Sequence, residues 1–249
     1  MCEARSTDRR AFLGAAAATS ALALTVAAAP AATASAPAGQ SAHRNTRFAV
    51  VPLGIQGGPP PAPDRSGIST ALVVNGRTYL MDCGRASLTQ FVRAGLDVAS
   101  LKAIFLSHLH ADHCMDLGSY AVSAAQFPTQ YTYKEPIDLY GPGSAGTPAA
   151  DLGPGPKWAN PDQQTPGTAE LLRLVTQAFN GSANFFIAER FIGNPAEMIR
   201  AHEVHVPEAA GASWSNPHPD TAPFPVMEDE NVRVTGSAWS GLSSTCLPV

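Results

Sequence analysis

The chain has 249 residues, 45% of them apolar and only 14% charged, which excludes a disordered protein, since disorder needs low hydrophobicity and high charge. The 16 basic residues against 20 acidic ones give a net charge of −4, which argues against a general nucleic-acid binder, because neutralising phosphates takes a concentrated basic face. Length sets one domain as the expectation, and 21 glycines with 22 prolines predict many turns and long loops.

The N-terminus reads as an export signal. Arg9-Arg10-Ala11-Phe12-Leu13 is a twin-arginine pair followed by an apolar dipeptide, and an uncharged run rich in Ala, Leu and Val follows from Ala15 to Ala29. That run is shorter than the roughly 20 residues a membrane-spanning helix needs. Ala34-Ser35-Ala36 supplies a small-x-small cleavage pattern. The expectation is a twin-arginine-type signal peptide over residues 1–36, Pro37 as the mature start, and a periplasmic or extracellular destination, with the membrane met only through export. Removal of Arg5, Arg9 and Arg10 together with Glu3 and Asp8 leaves the mature chain one charge unit more acidic. Cys83, Cys114 and Cys246 remain, too few for a disulfide scaffold.

After a linker over residues 37–46 the pattern turns to strands. Phe48 to Gly54 reads as a short buried strand, and Gly57-Gly58-Pro59-Pro60-Pro61 as a loop. Ser69 to Val74 and Thr78 to Met81 flank Asn75-Gly76, a strong hairpin signal. Ser87 to Ala94 carries Leu88, Phe91 and Val92 at helical spacing, and Ala103 to Leu106 is a further apolar strand. Helix is expected over Leu117 to Phe127, strand over Ile137 to Tyr140 and loop from Ser144 to Gly167. Thr168 to Phe179 and Asn184 to Ile192 read as helices, Met198 to Val206 as strand, Ala209 to Pro225 as loop, and Val232 to Thr235 as the start of a last strand.

The chemistry is concentrated in Ser107-His108-Leu109-His110-Ala111-Asp112-His113, directly after the apolar strand. Side chains alternate along an extended chain, so His108 and His110 share one side and can close on one metal ion. Asp112 and His113 sit where the chain turns into the next helix and can aim at a second ion. Imidazole and carboxylate at this spacing suit zinc or a similar divalent cation, whereas a solvated histidine-rich turn would not need the strand before it and the helix after it.

This motif resembles the His-x-His-x-Asp-His signature of the metallo-β-lactamase superfamily. Together with the Gly57-Gly58-Pro59 loop and the helical excursion, it looks most like the ribonuclease Z and arylsulfatase-like branch. The resemblance covers roughly Phe48 to Thr235 and implies a mixed α/β (α+β) fold, the αββα sandwich of that superfamily, with its second half incomplete. It further implies that His108 and His110 ligate one Zn2+ ion and Asp112 and His113 a second. Asp112 would also orient the metal-bound hydroxide as a catalytic group, and Asp82 would support a ligand from behind. The implied activity is hydrolysis of an ester, a phosphodiester or sulfate ester, by metal-activated water, on a small-molecule or other ester substrate. A lactam or lactone fits the superfamily at large.

The superfamily completes its metal site with two histidines and a bridging aspartate from the second half, the first soon after the strand that begins at Val232. Here residues 236–249 contain no His or Asp and lack strand alternation. The expectation is a domain over residues 47–235, an atypical tail over 236–249, and a chain truncated after about Thr235, as a reading-frame change would produce. His202, His205 and His218 are the remaining histidines that could contribute a ligand singly, and Cys114 reads as a small buried thiol. No run of Lys and Arg with interleaved aromatics is present, so no strong nucleic-acid signal is read. Beside the hydrolase stands a second reading, a non-catalytic or vestigial metal-binding domain that keeps the histidine cluster without turnover.

Overall fold

The computed structural model describes residues 43, 46–58, 60–123, 132–146, 160, 162–189, 194–213, 216 and 219–237. The expected signal peptide, the end of the helix expected over Leu117 to Phe127, most of the loop before Gly167, the end of the second predicted excursion helix, His218 and nearly all of the tail lie outside the described residues.

Six strands form one sheet in chain order: β1 (Phe48–Gly54), β2 (Ser69–Val74), β3 (Arg77–Met81), β4 (Leu101–Phe105), β5 (Ile137–Pro142) and β6 (Ile199–Val204). The first three pair antiparallel and β3 to β6 pair parallel. The hairpin between β2 and β3 turns on Asn75 and Gly76, both with positive φ (51° and 76°), as a two-residue turn matched to strand twist requires. β4 is buried at four of its five positions, so it reads as a continuous apolar run rather than an alternating one. β1 corrects the expectation of a buried strand. It is the sheet edge, Phe48 and Val50 are exposed, Leu53 alone is buried, and Pro52 is tolerated because an edge strand can leave one side of its ladder unpaired.

Helices α1 (Ser87–Arg93), α2 (Ala111–Cys114), α3 (Thr168–Ala178) and α4 (Asn180–Ala188) complete the larger elements. α4 starts four residues earlier than expected, straight after Phe179 ends α3, and buries only Ala183. Of the helix expected over Leu117 to Phe127, residues 117–123 are described and include a π-helical turn at Ser119–Ser123. On one face of the sheet Leu80, Ile104, Ile137 and Leu139 pack with Phe91 of α1, Leu117 and Tyr120.

The opposite face carries Tyr79, Ala103 and Phe105, and against it lies a second sheet, β7 (Phe224–Glu228) paired antiparallel with β8 (Arg233–Gly236), through Val226, Met227, Val232 and Val234. The described residues thus form a mixed α/β sandwich with helices, a six-stranded sheet and a two-stranded sheet, in keeping with an αββα architecture. β7 lies partly where a loop was expected, because Pro225 reads as a ladder breaker and only a short strand with a register shift beside it accommodates it.

Two side-chain contacts fasten the second sheet to the first hairpin. The Tyr79 hydroxyl donates to Asp229 Oδ2 at 2.6 Å, and Asn75 Nδ2 donates to Asn231 Oδ1 at 3.0 Å. Asp229 also accepts the Asn231 and Val232 N–H groups at 2.8 and 2.9 Å, so it closes the β7–β8 turn while it holds Tyr79. Burial pushes its carboxyl up, but the Tyr79 hydroxyl and those two amides outweigh it and hold the carboxyl below its ordinary value. Asp229→Ala leaves the fully buried Tyr79 hydroxyl without its acceptor, and the expected cost is about 2 kcal/mol in denaturant unfolding. Because the carboxyl is depressed in the folded state, its contribution is complete above the unfolded carboxylate pKa and is lost as pH falls through the folded one. The stability gap between wild type and variant should therefore close below about pH 4.

Candidate functional site

The parallel register places the ends of four strands together. Met81 pairs with Phe105, Phe105 with Tyr140, and Pro142 with Val204, so Asp82, Ser107 to His113, Gly143 and His205 all follow strand ends on one edge of the sheet. That edge, at the carboxyl ends of parallel strands, is where open α/β sheets present ligand sites.

Asp82 organises this edge. Immediately after β3 it adopts φ +58°, a left-handed conformation uncommon outside glycine but reached more readily by Asp and Asn. Its Oδ1 accepts the Ser107 N–H at 2.8 Å and the Ser107 hydroxyl bridges both carboxylate oxygens at 2.9 Å. Its Oδ2 takes His113 Nδ1 at 2.8 Å. Because the carboxylate accepts, the neutral His113 ring carries its proton on Nδ1 and keeps the Nε2 lone pair free, the arrangement usual for a metal-binding imidazole.

The other three motif residues gather in front of it. His108 and His110 pack edge to face with ring centroids 4.6 Å apart, and His108 lies 4.0 Å from the His113 ring. Asp112, in the first turn of α2, places Oδ2 3.6 Å from His113 Nε2 and accepts the Gly58 N–H at 2.6 Å. Burial raises the Asp112 carboxyl, but the Gly58 amide, its own backbone N–H and the nearby imidazoles prevail and hold it below the usual carboxylate value. Burial and then the two neighbouring imidazoles lower His108, which favours its neutral, ligand-competent form. By chemistry the set fits a divalent cation such as zinc. Among the described residues, however, no three His, Cys, Asp or Glu side chains converge as a metal cage.

The remaining candidates separate. His202, on β6, stacks on Tyr140 (4.7 Å) and binds Asp138 through Nε2 at 2.8 Å. His205, one residue beyond β6, lies over Gly143, where a Cβ would come within 2.4 Å of its ring, and it lines a cavity of about 530 Å3 together with Asp82, Ser107, His108 and His113. Cys114 donates to the His110 carbonyl at 3.2 Å, and burial pushes its thiol up to about 11, as suits a packing group. Two contributors carried no assigned role in the sequence, Ser107 and the Gly58 amide. The signal for Ser107 was its place beside His108, and for Gly58 its place in a glycine-proline loop.

The sequence pattern of the anti-Pycsar protein Apyc1 family matches residues 68–147. Ribonuclease Z of Mycobacterium marinum is 30% identical over 148 residues, 59% of this chain and 44% of the relative, and that of Mycolicibacterium paratuberculosis is 32% identical over the same shares. Over these residues the chain is similar to ribonuclease Z, in keeping with the metallo-β-lactamase-fold resemblance of its histidine motif. Among solved structures it is similar to human tRNase Z, short form (TM-score 0.44, 20% identity, 76% of this chain and 57% of that one). It is also similar to the metallo-β-lactamase-fold protein YhfI of Bacillus subtilis (TM-score 0.36, 15% identity, 75% and 56%). The chain spans less than half the length of the ribonuclease Z relatives.

The likeness to ribonucleases corrects one expectation, the absence of a nucleic-acid signal. Net charge averages over the whole surface and does not report a local binding site.

Backbone crowding makes this edge of the sheet sensitive to single atoms. A Cβ on Gly84 would stand 2.1 Å from the Asp112 carbonyl oxygen and 2.6 Å from the Ile68 nitrogen. Gly84→Ala is therefore expected to lower stability by about 1–3 kcal/mol in thermal or denaturant unfolding, as overpacking does.

Proposed function

We propose that this chain is an exported, metal-dependent hydrolase of phosphodiesters. The observation that carries the reading is the gathering of His108, His110, Asp112 and His113 at the carboxyl ends of parallel strands, in a chain about 30% identical to ribonuclease Z over 148 residues. The relatives' name supports an RNA phosphodiester as the first substrate to test. His108 and His110 would hold one zinc-type ion and Asp112 and His113 a second. Such ions, when bound, would lower the pKa of a coordinated water and polarise the phosphoryl oxygen.

The chain's own residues do the positioning. Asp82 keeps His113 protonated on Nδ1 and turned toward the site, and Ser107 ties that carboxylate to the end of β4. Asp112, fixed by the Gly58 amide, presents its carboxylate beside His113 to orient the attacking water.

Purified chain is expected to cleave an RNA oligonucleotide or bis(4-nitrophenyl) phosphate, to lose that activity to a chelator and recover it with zinc. His108→Ala should fall to background and Asp82→Asn should lose about 10–100-fold, the usual effect of removing a partner that orients a metal ligand. Activity that His108→Ala leaves untouched would refute the assignment. The vestigial reading is favoured by one observation, that the described donors do not converge. Two zinc per chain retained through dialysis oppose it, and none retained supports it.

Export rests on the Arg9-Arg10 pair and the apolar run behind it. Residues 1–36 fused to a reporter should direct it out of the cytoplasm, and changing both arginines to lysine should retain it inside. Equal export by both fusions would remove the twin-arginine reading.

A further inference from the structure

The two helices between β5 and β6 carry a surface that the histidine edge does not use. α3 is fastened to the body at several points. Thr168 Oγ1 donates to the Pro142 carbonyl at 2.8 Å, and the Ala169 N–H donates to Glu203 Oε1 at 3.1 Å. Val175 and the Phe179 ring stand only 3.2 and 3.5 Å from where a Cβ on Gly118 would lie. α4 follows directly and buries only Ala183. Along this pair of helices Leu174, Phe179, Phe185 and Ile187 are exposed, Phe185 to 61%. Several large apolar side chains left in water on a braced element mark a contact surface.

Charge and direction say what covers it. From Leu174 to Ala188 no residue is charged. The cation at the border, Arg173, is already bound by both carboxylate oxygens of Glu170 and by Gln177, each at 2.6 Å. An uncharged stretch can leave water for the acyl boundary of a membrane, where a charge would oppose the transfer. Successive residues of an α-helix are about 100° apart, so Phe185 and Ile187 leave α4 on either side of Phe186, about 160° from each other. A rigid partner surface covers one flank of such a helix, whereas fluid acyl chains close around both. The nine residues of α4 span about 13 Å, far short of the roughly 30 Å core of a bilayer, and among the described residues no helix is long and apolar enough to cross a membrane. α4 therefore suits the membrane surface and not a membrane span.

We propose that α4, with Phe179 and the end of α3, is a lipid-surface contact, in which Phe185 and Ile187 enter the boundary between headgroups and acyl chains and hold the protein reversibly on a membrane. The contact is independent of the hydrolase reading and goes beyond the membrane passage that export alone requires. Because the patch carries no charge, it engages the apolar part of the bilayer and does not select anionic headgroups. Because α3 is fastened to the ends of β5 and β6, the wedge is presented already formed and binding requires little ordering.

A tryptophan placed in the patch of the full chain reads the contact locally, so adsorption through any other segment does not mimic it. In Phe185→Trp, the emission in excess of the wild type should move to shorter wavelength when phosphatidylcholine vesicles are added, and it should be quenched when their acyl chains carry bromine. Vesicles of phosphatidylcholine mixed with phosphatidylglycerol should give the same response, and raising the salt from about 0.1 M to about 1 M should leave it in place, since screening acts only on charges. Val50→Trp, on the exposed strand at the opposite edge of the sheet from β6, should show neither shift nor quenching. If Phe185→Trp does not fold, Ile187→Trp reads the same patch. No shift and no quenching at position 185, an equal response at position 50, or a response confined to the phosphatidylglycerol vesicles and abolished by salt overturns the proposal. A dimer in solution whose position 185 stays unquenched beside vesicles assigns the surface to a second copy and overturns it equally. None of these readings involves substrate or metal, so failure here leaves the hydrolase reading untouched, and a chain that hydrolyses nothing leaves the lipid contact untouched.

Discussion

The contact on which the site depends is the carboxylate of Asp82. It accepts a backbone amide, a hydroxyl and an imidazole N–H from residues 25 to 31 positions further along the chain, and it does so from a left-handed backbone conformation. A carboxylate that is nine-tenths shielded from solvent must be satisfied by protein donors. Here those donors are Ser107 and His113, so meeting the electrostatic need of one buried group fixes the end of β4 and the ring of a candidate ligand together. The strained φ is retained because three bonds over-determine it.

The remainder of the site is positioned by backbone rather than by side chains. The Asp82 N–H donates to the Phe105 carbonyl at 2.8 Å, the Cys83 N–H to the His113 carbonyl at 2.7 Å, and the Ile68 N–H to the Asp112 carbonyl at 3.1 Å. These bonds join the segments after β3 and β4 to the start of β2 closely enough that Gly67 and Gly84 have no room for a Cβ. Asp116 continues the clamp by accepting the Leu88 N–H at 2.7 Å, which anchors the start of α1 to the segment after the histidines. The histidine cluster therefore sits on a braced edge rather than on a free loop, which is what a site that must hold a cation or an ester in one geometry requires.

Legibility in the sequence followed the range of the interactions. The hairpin at Asn75-Gly76, α1, β4 and the histidine motif were all readable, because each is encoded by local spacing: a turn that demands positive φ, an apolar period, an unbroken apolar run. The closeness of His108 and His110 follows from two-residue alternation and could be stated without coordinates. What local pattern does not carry is partnership across the sheet. The exposure of β1 depends on its being the edge, β7 on a partner that tolerates Pro225, and the placement of His205 beside Gly143 on the parallel register of β5 with β6. Whole-chain charge was the least informative signal, since it reports no local arrangement.

The position of the cavity follows from how the two sheets are joined. At the turn of β7 and β8, Asp229 and Asn231 reach the hairpin of the first sheet through Tyr79 and Asn75, and Val232 packs against it. At the other end of the same strands, Phe224, Val226 and residues 234–237 face the carboxyl ends of β3, β4 and β5 across open space. Polar fastening at one end and apolar walls at the other leave a cavity that His108 and His113 also line. A pocket in this fold thus needs no dedicated loop. It arises because the second sheet is tied down at the hairpin end and meets the first only through side chains toward the histidines, so whatever occupies it lies next to the groups that can bind a cation or an anion.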